Sequence, residues 1–312
     1  MKRTIRKIAI VGATSHIAKG LIFFLKDDKS INLHLYARDL EKVSVFLKQI
    51  DYQDPVLKHF SELNDDRIDV IINCIGISFS ADSNTLGGNV FELTEHFDHL
   101  ILNYIQNNQE TTYINFSSGA VYGASFYQPA SESTKTIIDV NNIRTEDYYR
   151  IAKLNAEAKH RSLDNYNIID LRIFGYYSRF IDLSKNYLMT DIITCLKDNR
   201  ILKTGPDNII RDYIHPSDLA NIIRVCCEIE INQAMDVKSK NPISKMEILK
   251  YFKKHYGLKF EIVEDYGGHS ATGEKLNYYS ENNNCDPIKF RPKYTSLECI
   301  EMETKALLKY KT

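Results

Sequence analysis

The stretch that most constrains the fold of this 312-residue chain lies at its start. Lys7-Ile8-Ala9-Ile10-Val11 is short, apolar and rich in β-branched residues, and reads as a buried strand. Gly12-Ala13-Thr14-Ser15-His16-Ile17-Ala18-Lys19-Gly20 follows, and then the apolar run Leu21-Ile22-Phe23-Phe24-Leu25. A strand, a glycine turn and a helix in that order can hold a dinucleotide. Backbone N–H groups of the turn meet the pyrophosphate, and the helix N-terminus supplies a partial positive charge. Small residues at 12, 15 and 18 spell G-x-x-S-x-x-A, a softened form of the G-x-x-G-x-x-G/A fingerprint. Gly12 and the backbone of Thr14, Ser15, His16 and Ile17 are therefore candidate cofactor contacts. Ser15 is a departure, because glycine there lets the backbone approach the phosphates most closely. Serine is small and can donate a hydrogen bond, so the function can survive it.

The pattern then repeats. Leu33 to Arg38 predicts a second parallel strand, and the charge at its end selects the cofactor. An acidic residue there takes a ribose 2′-hydroxyl, whereas a basic one accommodates a 2′-phosphate. Arg38 stands close to that point, which favours NADP(H) over NAD(H). In the plainer alternative Arg38 sits on a surface loop and Asp39 is the N-cap of a helix over Leu40 to Gln49. Residues 51–67 are too irregular to place. Asp69 to Gly76 predicts a buried strand whose small end, Ile75-Gly76, is a place for a cofactor to lie against backbone. A helix from Phe91 to Asn107 leads to a strand Thr112 to Phe116, which runs into Ser117-Ser118-Gly119-Ala120-Val121-Tyr122-Gly123. Further strands are expected over Asn167 to Phe174 and Ala234 to Val237. Helices are expected over Lys185 to Asp198, Leu219 to Glu230 and Ser296 to Tyr310. The expectation is an α/β fold, a Rossmann-type doubly wound parallel sheet with a smaller, mostly α-helical C-terminal substrate domain. The dinucleotide domain would take residues 1–174 and about 208–238, and the substrate domain about 175–207 and 239–312.

One pair in the middle carries chemistry. Tyr149 and Lys153 are four apart, so on a helix they share a face. A free tyrosine, with a pKa of ~10, is a poor proton shuttle near neutrality. An ammonium ~4 Å away at an effective dielectric of ~20 would favour the phenolate by ~4 kcal/mol, or roughly three pKa units. That would bring Tyr149 to where general acid–base catalysis works best. Ser118, at the carboxyl end of a parallel strand, could hydrogen-bond a substrate oxygen while Tyr149 exchanges a proton with it.

Composition narrows the classes further. A formal net charge of −1 gives no sign of a nucleic-acid or membrane surface. Cys74, Cys195, Cys226, Cys227, Cys285 and Cys299 form neither a CxxC pair nor a metal-ligand spacing, so no metal is expected. With no signal peptide and no apolar run of ~20 residues, this suits reduced thiols in a cytoplasm.

Four features together resemble the extended short-chain dehydrogenase/reductase family, the nucleotide-sugar epimerases, dehydratases and reductases. They are Gly12 to Ala18, Ser117 to Gly123, Tyr149-x-x-x-Lys153, and Arg211-Asp212-Tyr213-Ile214-His215-Pro216-Ser217-Asp218-Leu219-Ala220. The resemblance implies that Tyr149 and Lys153 also touch the nicotinamide ribose, and that Arg211 contacts the diphosphate of a nucleotide-sugar substrate. A homodimer is implied as well. Many relatives have an asparagine on the phosphate where Gly175 stands here. The 4,6-dehydratases carry an Asp-Glu pair after the catalytic serine or threonine, where this chain has Gly119 and Ala120. The glutamate of the decarboxylases and the cysteine of ketone-adjacent epimerases are absent too. What the resemblance leaves is Ser118, Tyr149, Lys153 and a nicotinamide. The expectation is an NADPH-dependent reductase of a nucleotide-linked 4-keto-6-deoxy sugar. The alternatives are a 4-epimerase with tightly bound NAD, and a non-catalytic NADP-binding regulator. Gly267 to Gly273 reads as a loop that could cover the sugar nucleotide.

Overall fold

The computed structural model describes residues 6–53, 55–76, 89–123, 125–264 and 275–310. The Gly267–Gly273 loop lies outside them. In chain order the elements begin β1 (Arg6–Val11), α1 (His16–Leu25), β2 (Ile31–Tyr36), α2 (Leu40–Gln49), β3 (Val56–Lys58) and β4 (Val70–Asn73). They continue with α3 (Asn89–Asn107), β5 (Thr112–Ser118), α4 (Thr145–Arg161), β6 (Ile168–Ile173), α5 (Leu188–Lys197), β7 (Leu202–Thr204) and β8 (Ile210–Arg211). The chain closes with α6 (Pro216–Cys226), β9 (Gln233–Val237), β10 (Ile243–Ser244), α7 (Lys245–Tyr256), β11 (Phe260–Ile262), β12 (Asn277–Tyr278) and α8 (Ser296–Tyr310).

Seven strands form one parallel sheet in the order β3-β2-β1-β4-β5-β6-β9. Strand residues alternate between its two faces, and both faces are covered. Ile8 and Ile10 pack in one apolar cluster with Leu21 of α1 and Leu219 and Ile223 of α6. Ala9 and Val11 pack in another with Ile101 and Ile105 of α3. Burial on both sides is why these strands are continuously apolar rather than alternating. The strand order reverses between β1 and β4, which opens the crevice where such sheets bind ligands.

A third cluster gathers Ile192 and Ile193 of α5, Ile248, Leu249 and Phe252 of α7, and Ile300 and Leu307 of α8. Two small sheets accompany these helices, β10-β8-β12 and β11-β7. They fall in a region expected to be mostly helical. Strands of two or three residues are too short to show a periodicity. Ile210–Arg211 belongs to the first of them and not to the large sheet.

Several element boundaries also differ from expectation, and α6 runs Pro216–Cys226 where a helix over Leu219 to Glu230 is expected. The unplaced stretch 51–67 contains the edge strand β3 and a 3₁₀ turn over Phe60–Asp65. β2 ends at Tyr36 and not at Arg38. β4 ends at Asn73, because the Asn73 side chain takes the Ile75 N–H at 3.0 Å and turns the chain out of the ladder. Among the described residues, no helix is long and apolar enough to cross a membrane, and the six cysteines are buried and unpaired.

Candidate active site

The glycine turn sits at the crevice. Gly12 has φ +87°, and a Cβ there would lie 2.7 Å from Ile75 Cγ1 and 3.2 Å from the Cys74 carbonyl carbon. A side chain is therefore excluded by conformation and by space. Cys74 N donates to the Val11 carbonyl at 2.8 Å, which brings Ile75 and Gly76 alongside the turn. Thr14 is exposed at the tip of the turn. Ser15 is the N-cap of α1, its hydroxyl accepting from Ala18 N at 3.3 Å. The departure from glycine is thus used to satisfy a helix end. The ring of His16 faces away from the tip: Nε2 is 2.8 Å from Ser178 Oγ, and the ring packs edge-on against Tyr176 at 4.8 Å. Burial, and then Lys19, push its imidazole down to about 4, so it is neutral. Gly12, the exposed turn and the open α1 N-terminus fit a dinucleotide pyrophosphate.

Arg38 is exposed just beyond β2, while Asp39 caps α2 by accepting from Lys42 N at 3.0 Å. The acidic residue is therefore occupied by the helix, and the basic one faces solvent.

Tyr149 and Lys153 lie on α4, and Ser118 is the last residue of β5. The Ser118 side chain lies near Tyr149 and favours its phenolate form. Its Oγ is also 3.0 Å from the Tyr278 hydroxyl and accepts from Ala120 N at 3.2 Å. Lys153 is buried, and its ammonium donates to the Phe116 carbonyl of β5 at 2.8 Å. A Cβ on Gly76 would be 4.0 Å from that ammonium, so the lysine reaches the cofactor side of the crevice.

One expectation fails here. Lys153 was expected to lower the Tyr149 pKa toward neutrality, yet burial raises it, opposed by the nearby Ser118 side chain. The helical spacing is as expected, but the Phe116 carbonyl holds the ammonium instead of the phenol. Burial also lowers the Lys153 pKa, against the attraction of Asp170, Asp98 and Glu157.

After Ser118 the chain forms a 3₁₀ turn over Gly119–Tyr122. A Cβ on Gly119 would come within 2.4 Å of the Phe174 ring, so the turn has no space for an acidic side chain. A Cβ on Gly175 would lie 2.4 Å from the Asp212 carbonyl oxygen, which likewise excludes an asparagine there.

Arg211 is buried on β8, its Nη1 donating to the carbonyls of Ile210 at 2.8 Å and Lys275 at 2.7 Å. Asp212 and Asp218 are engaged elsewhere. Asp212 accepts from Ser239 N, and Asp218 from Lys293 N and Tyr294 N. β8 pairs with β12 so that Arg211 stands opposite Tyr278. Tyr278 was missed in the sequence. It lies in a short polar segment with no motif, and the pairing with β8 helps carry its hydroxyl to Ser118.

The segment after β12 is tied to the large sheet through Asp236 of β9. This carboxylate accepts from Ser280 Oγ at 2.6 Å, from Tyr122 Oη at 3.0 Å and from Asn284 Nδ2 at 3.2 Å. Among the described residues there is no cluster of His, Cys, Asp and Glu able to hold a metal ion.

Residues 8–234 match the model of the NAD dependent epimerase/dehydratase family. Comparison with curated proteins returns no match. Among solved structures, the chain is similar to a UDP-glucose-4-epimerase from Stenotrophomonas maltophila with bound NAD and formylated UDP-arabinopyranose. Identity is 14%, 97% of this chain and 98% of that one are covered, and the TM-score is 0.80. A UDP-N-acetylglucosamine 4-epimerase from Methanobrevibacter ruminantium, in complex with UDP-N-acetylmuramic acid, gives 16% identity, coverage of 99% and 100%, and a TM-score of 0.77. A dTDP-glucose 4,6-dehydratase from Bacillus anthracis in complex with NAD gives 15%, 97% of both chains, and 0.77. With the fingerprint turn, the serine, tyrosine and lysine and the family match all in one crevice, the chain is an enzyme that belongs to the NAD dependent epimerase/dehydratase family, of the extended short-chain dehydrogenase/reductase type.

Proposed function

We propose that the protein is an NADPH-dependent reductase of a nucleotide-linked 4-keto-(6-deoxy) sugar. The observation that carries this reading is the bareness of the site. The Ser118 side chain lies near Tyr149, Lys153 lies behind them, and at Gly119 the turn has no space for an acidic side chain. Such a site handles one hydride and one proton.

The nicotinamide, when bound, supplies the hydride for C4. Gly12 and the backbone of residues 14–17 hold the pyrophosphate at the α1 N-terminus. Ser118 donates a hydrogen bond to the keto oxygen and orients it, and Tyr149 gives its proton to the oxygen as charge develops there. Burial keeps Tyr149 protonated at neutral pH, the form a reduction consumes. Lys153 contributes a buried positive charge beside the cofactor ribose. Arg211 takes the substrate diphosphate, and the exposed Arg38 takes the 2′-phosphate of NADPH.

The second reading is a 4-epimerase, favoured by solved neighbours that are 4-epimerases, several of them with NAD. That reaction begins by removing a proton, for which a tyrosine with a raised pKa is poorly prepared. The test is NADPH oxidation against GDP-, dTDP-, UDP- and CDP-linked 4-keto-6-deoxy sugars, with products identified by NMR. Consumption of exchangeable NADPH with one of them supports the reductase. Purified protein carrying tightly held NAD⁺, and inverting C4 without net redox, replaces it with the epimerase.

A further inference from the structure

Beside Ser118 lies a second buried hydroxyl that the reaction above leaves without a task. Tyr278 Oη is 3.0 Å from Ser118 Oγ, and both side chains are buried. The phenol is held from several sides. Its ring packs edge-on against Phe126 at 4.8 Å between centroids, and tilted against Phe174 at 5.3 Å. Its backbone is fastened as well: β12 pairs with β8, Asn277 N donates to the Phe126 carbonyl at 2.7 Å, and Ala130 N donates to the Tyr279 carbonyl at 2.9 Å. Phenylalanine would fill this aromatic cluster equally well. A buried hydroxyl costs desolvation unless it is bonded, and the group it meets here is the serine that faces the substrate.

The hydrogen-bonding capacity of Ser118 sets what this contact does. A serine hydroxyl has one proton to give and two lone pairs to accept with. Ala120 N–H takes one lone pair, at 3.2 Å. A phenol is more acidic than an aliphatic alcohol, which makes it the better donor and the poorer acceptor of the two. Tyr278 therefore gives its proton to the remaining lone pair of Ser118. Burial holds the Tyr278 pKa above the ordinary tyrosine value, so that proton is in place at neutral pH. With both lone pairs engaged, the Ser118 proton is the one left over, and it is free for the substrate.

We infer that Tyr278 is a positioning residue, whose hydroxyl donates to Ser118 and thereby presets the Ser118 proton for the keto oxygen. This rests on the role of Ser118 proposed above, in which that hydroxyl orients the substrate ketone. Without the Tyr278 hydroxyl one lone pair of Ser118 falls empty and its O–H rotates among other directions. A donor that is no longer preset loses part of its hold on the charge developing at the oxygen. The aim of Ser118 thus depends on β12 being seated against β8, although neither strand belongs to the large sheet that carries Ser118.

The test is a double-mutant cycle of Tyr278→Phe, Ser118→Ala and the two together, read as NADPH oxidation with the 4-keto sugar nucleotide that the wild type reduces. Ser118→Ala should lower kcat by about 10²–10³, as the loss of a preorganised donor does. Tyr278→Phe keeps the ring and should lower kcat by about 10-fold, with KM and NADPH affinity held and melting shifted by only a few degrees. The double variant should be no slower than Ser118→Ala, because without the serine hydroxyl the tyrosine has nothing to orient. Turnover of Tyr278→Phe within about twofold of wild type overturns the assignment. So do losses that multiply in the double variant, which would make Tyr278 an independent donor to the substrate. A Tyr278→Phe effect on KM alone overturns it as a mere substrate contact, and a joint loss of melting temperature and NADPH affinity overturns it as a structural effect. A wild type that inverts C4 without net redox refutes the reductase reading instead, and the same cycle is then read on the inversion, where Ser118 meets the same oxygen. A wild type inert in both reactions overturns the role of Ser118 and with it that of Tyr278.

Discussion

Replacing Tyr149 by Phe separates the chemistry of the site from its architecture. The substitution removes one hydroxyl and keeps the ring on α4. Its structural cost is the loss of one polar neighbour of Ser118, about 1 kcal/mol at most. Ser118 Oγ keeps the Ala120 N–H and the Tyr278 hydroxyl, so no buried polar atom is orphaned. The catalytic cost is larger, because a positioned proton donor contributes roughly 10²–10⁴ in rate, or about 3–5 kcal/mol of barrier. Single-turnover NADPH oxidation should therefore slow by about two to four decades. The melting temperature should move by only a few degrees and dinucleotide binding should persist. The pH profile gives a second check. Tyr149 must be protonated to donate, and burial raises its pKa, so kcat should stay flat through neutrality and decline only above the ordinary tyrosine value of ~10. Turnover within about tenfold of wild type refutes the role of Tyr149. An alkaline decline of kcat near neutrality refutes the placement of the Lys153 ammonium on the Phe116 carbonyl during turnover.

The remaining predictions concern cofactor and stability. Gly12→Ala meets both a φ of +87° and the Ile75 contact at 2.7 Å. It should cost roughly 1–3 kcal/mol, read by chemical denaturation, and weaken NADPH binding. Arg38→Ala removes an exposed side chain, so melting should not change, while the NADPH-to-NADH preference in kcat/KM should drop by ~10-fold or more. His160 is fully buried between Asp98 and Asp170, at 2.7 and 2.9 Å, and its imidazole is raised to about 9. Its stabilisation is complete below the unfolded value of 6.5 and is lost as pH rises through about 9, a span of roughly 3 kcal/mol. The stability gap between wild type and His160→Gln should accordingly narrow over that window, and a gap independent of pH would rule out this charged sandwich.

What the sequence by itself determined was whatever local pattern encodes. The apolar strands, the glycine turn and the helical spacing of Tyr149 and Lys153 are short-range features, and a doubly wound sheet is the arrangement that buries such strands on both faces. Gly12, Ser118 and Arg211 were legible because each stands at a strand or motif end, where the backbone decides the role. The tertiary structure decided what depends on partners far along the chain. The Lys153 ammonium rests on the Phe116 carbonyl, 37 residues away, and so leaves Tyr149 with a raised pKa. Spacing on one helix cannot foresee an acceptor on a neighbouring strand. Tyr278 is brought to Ser118 by a two-residue strand pairing with Ile210–Arg211 and by the hold of Asp236 on the segment after it. Neither interaction leaves a periodicity to read. The parts of the site carried by long, regular elements were therefore visible in the sequence. The electrostatics that decide which way a proton moves were set by contacts between them.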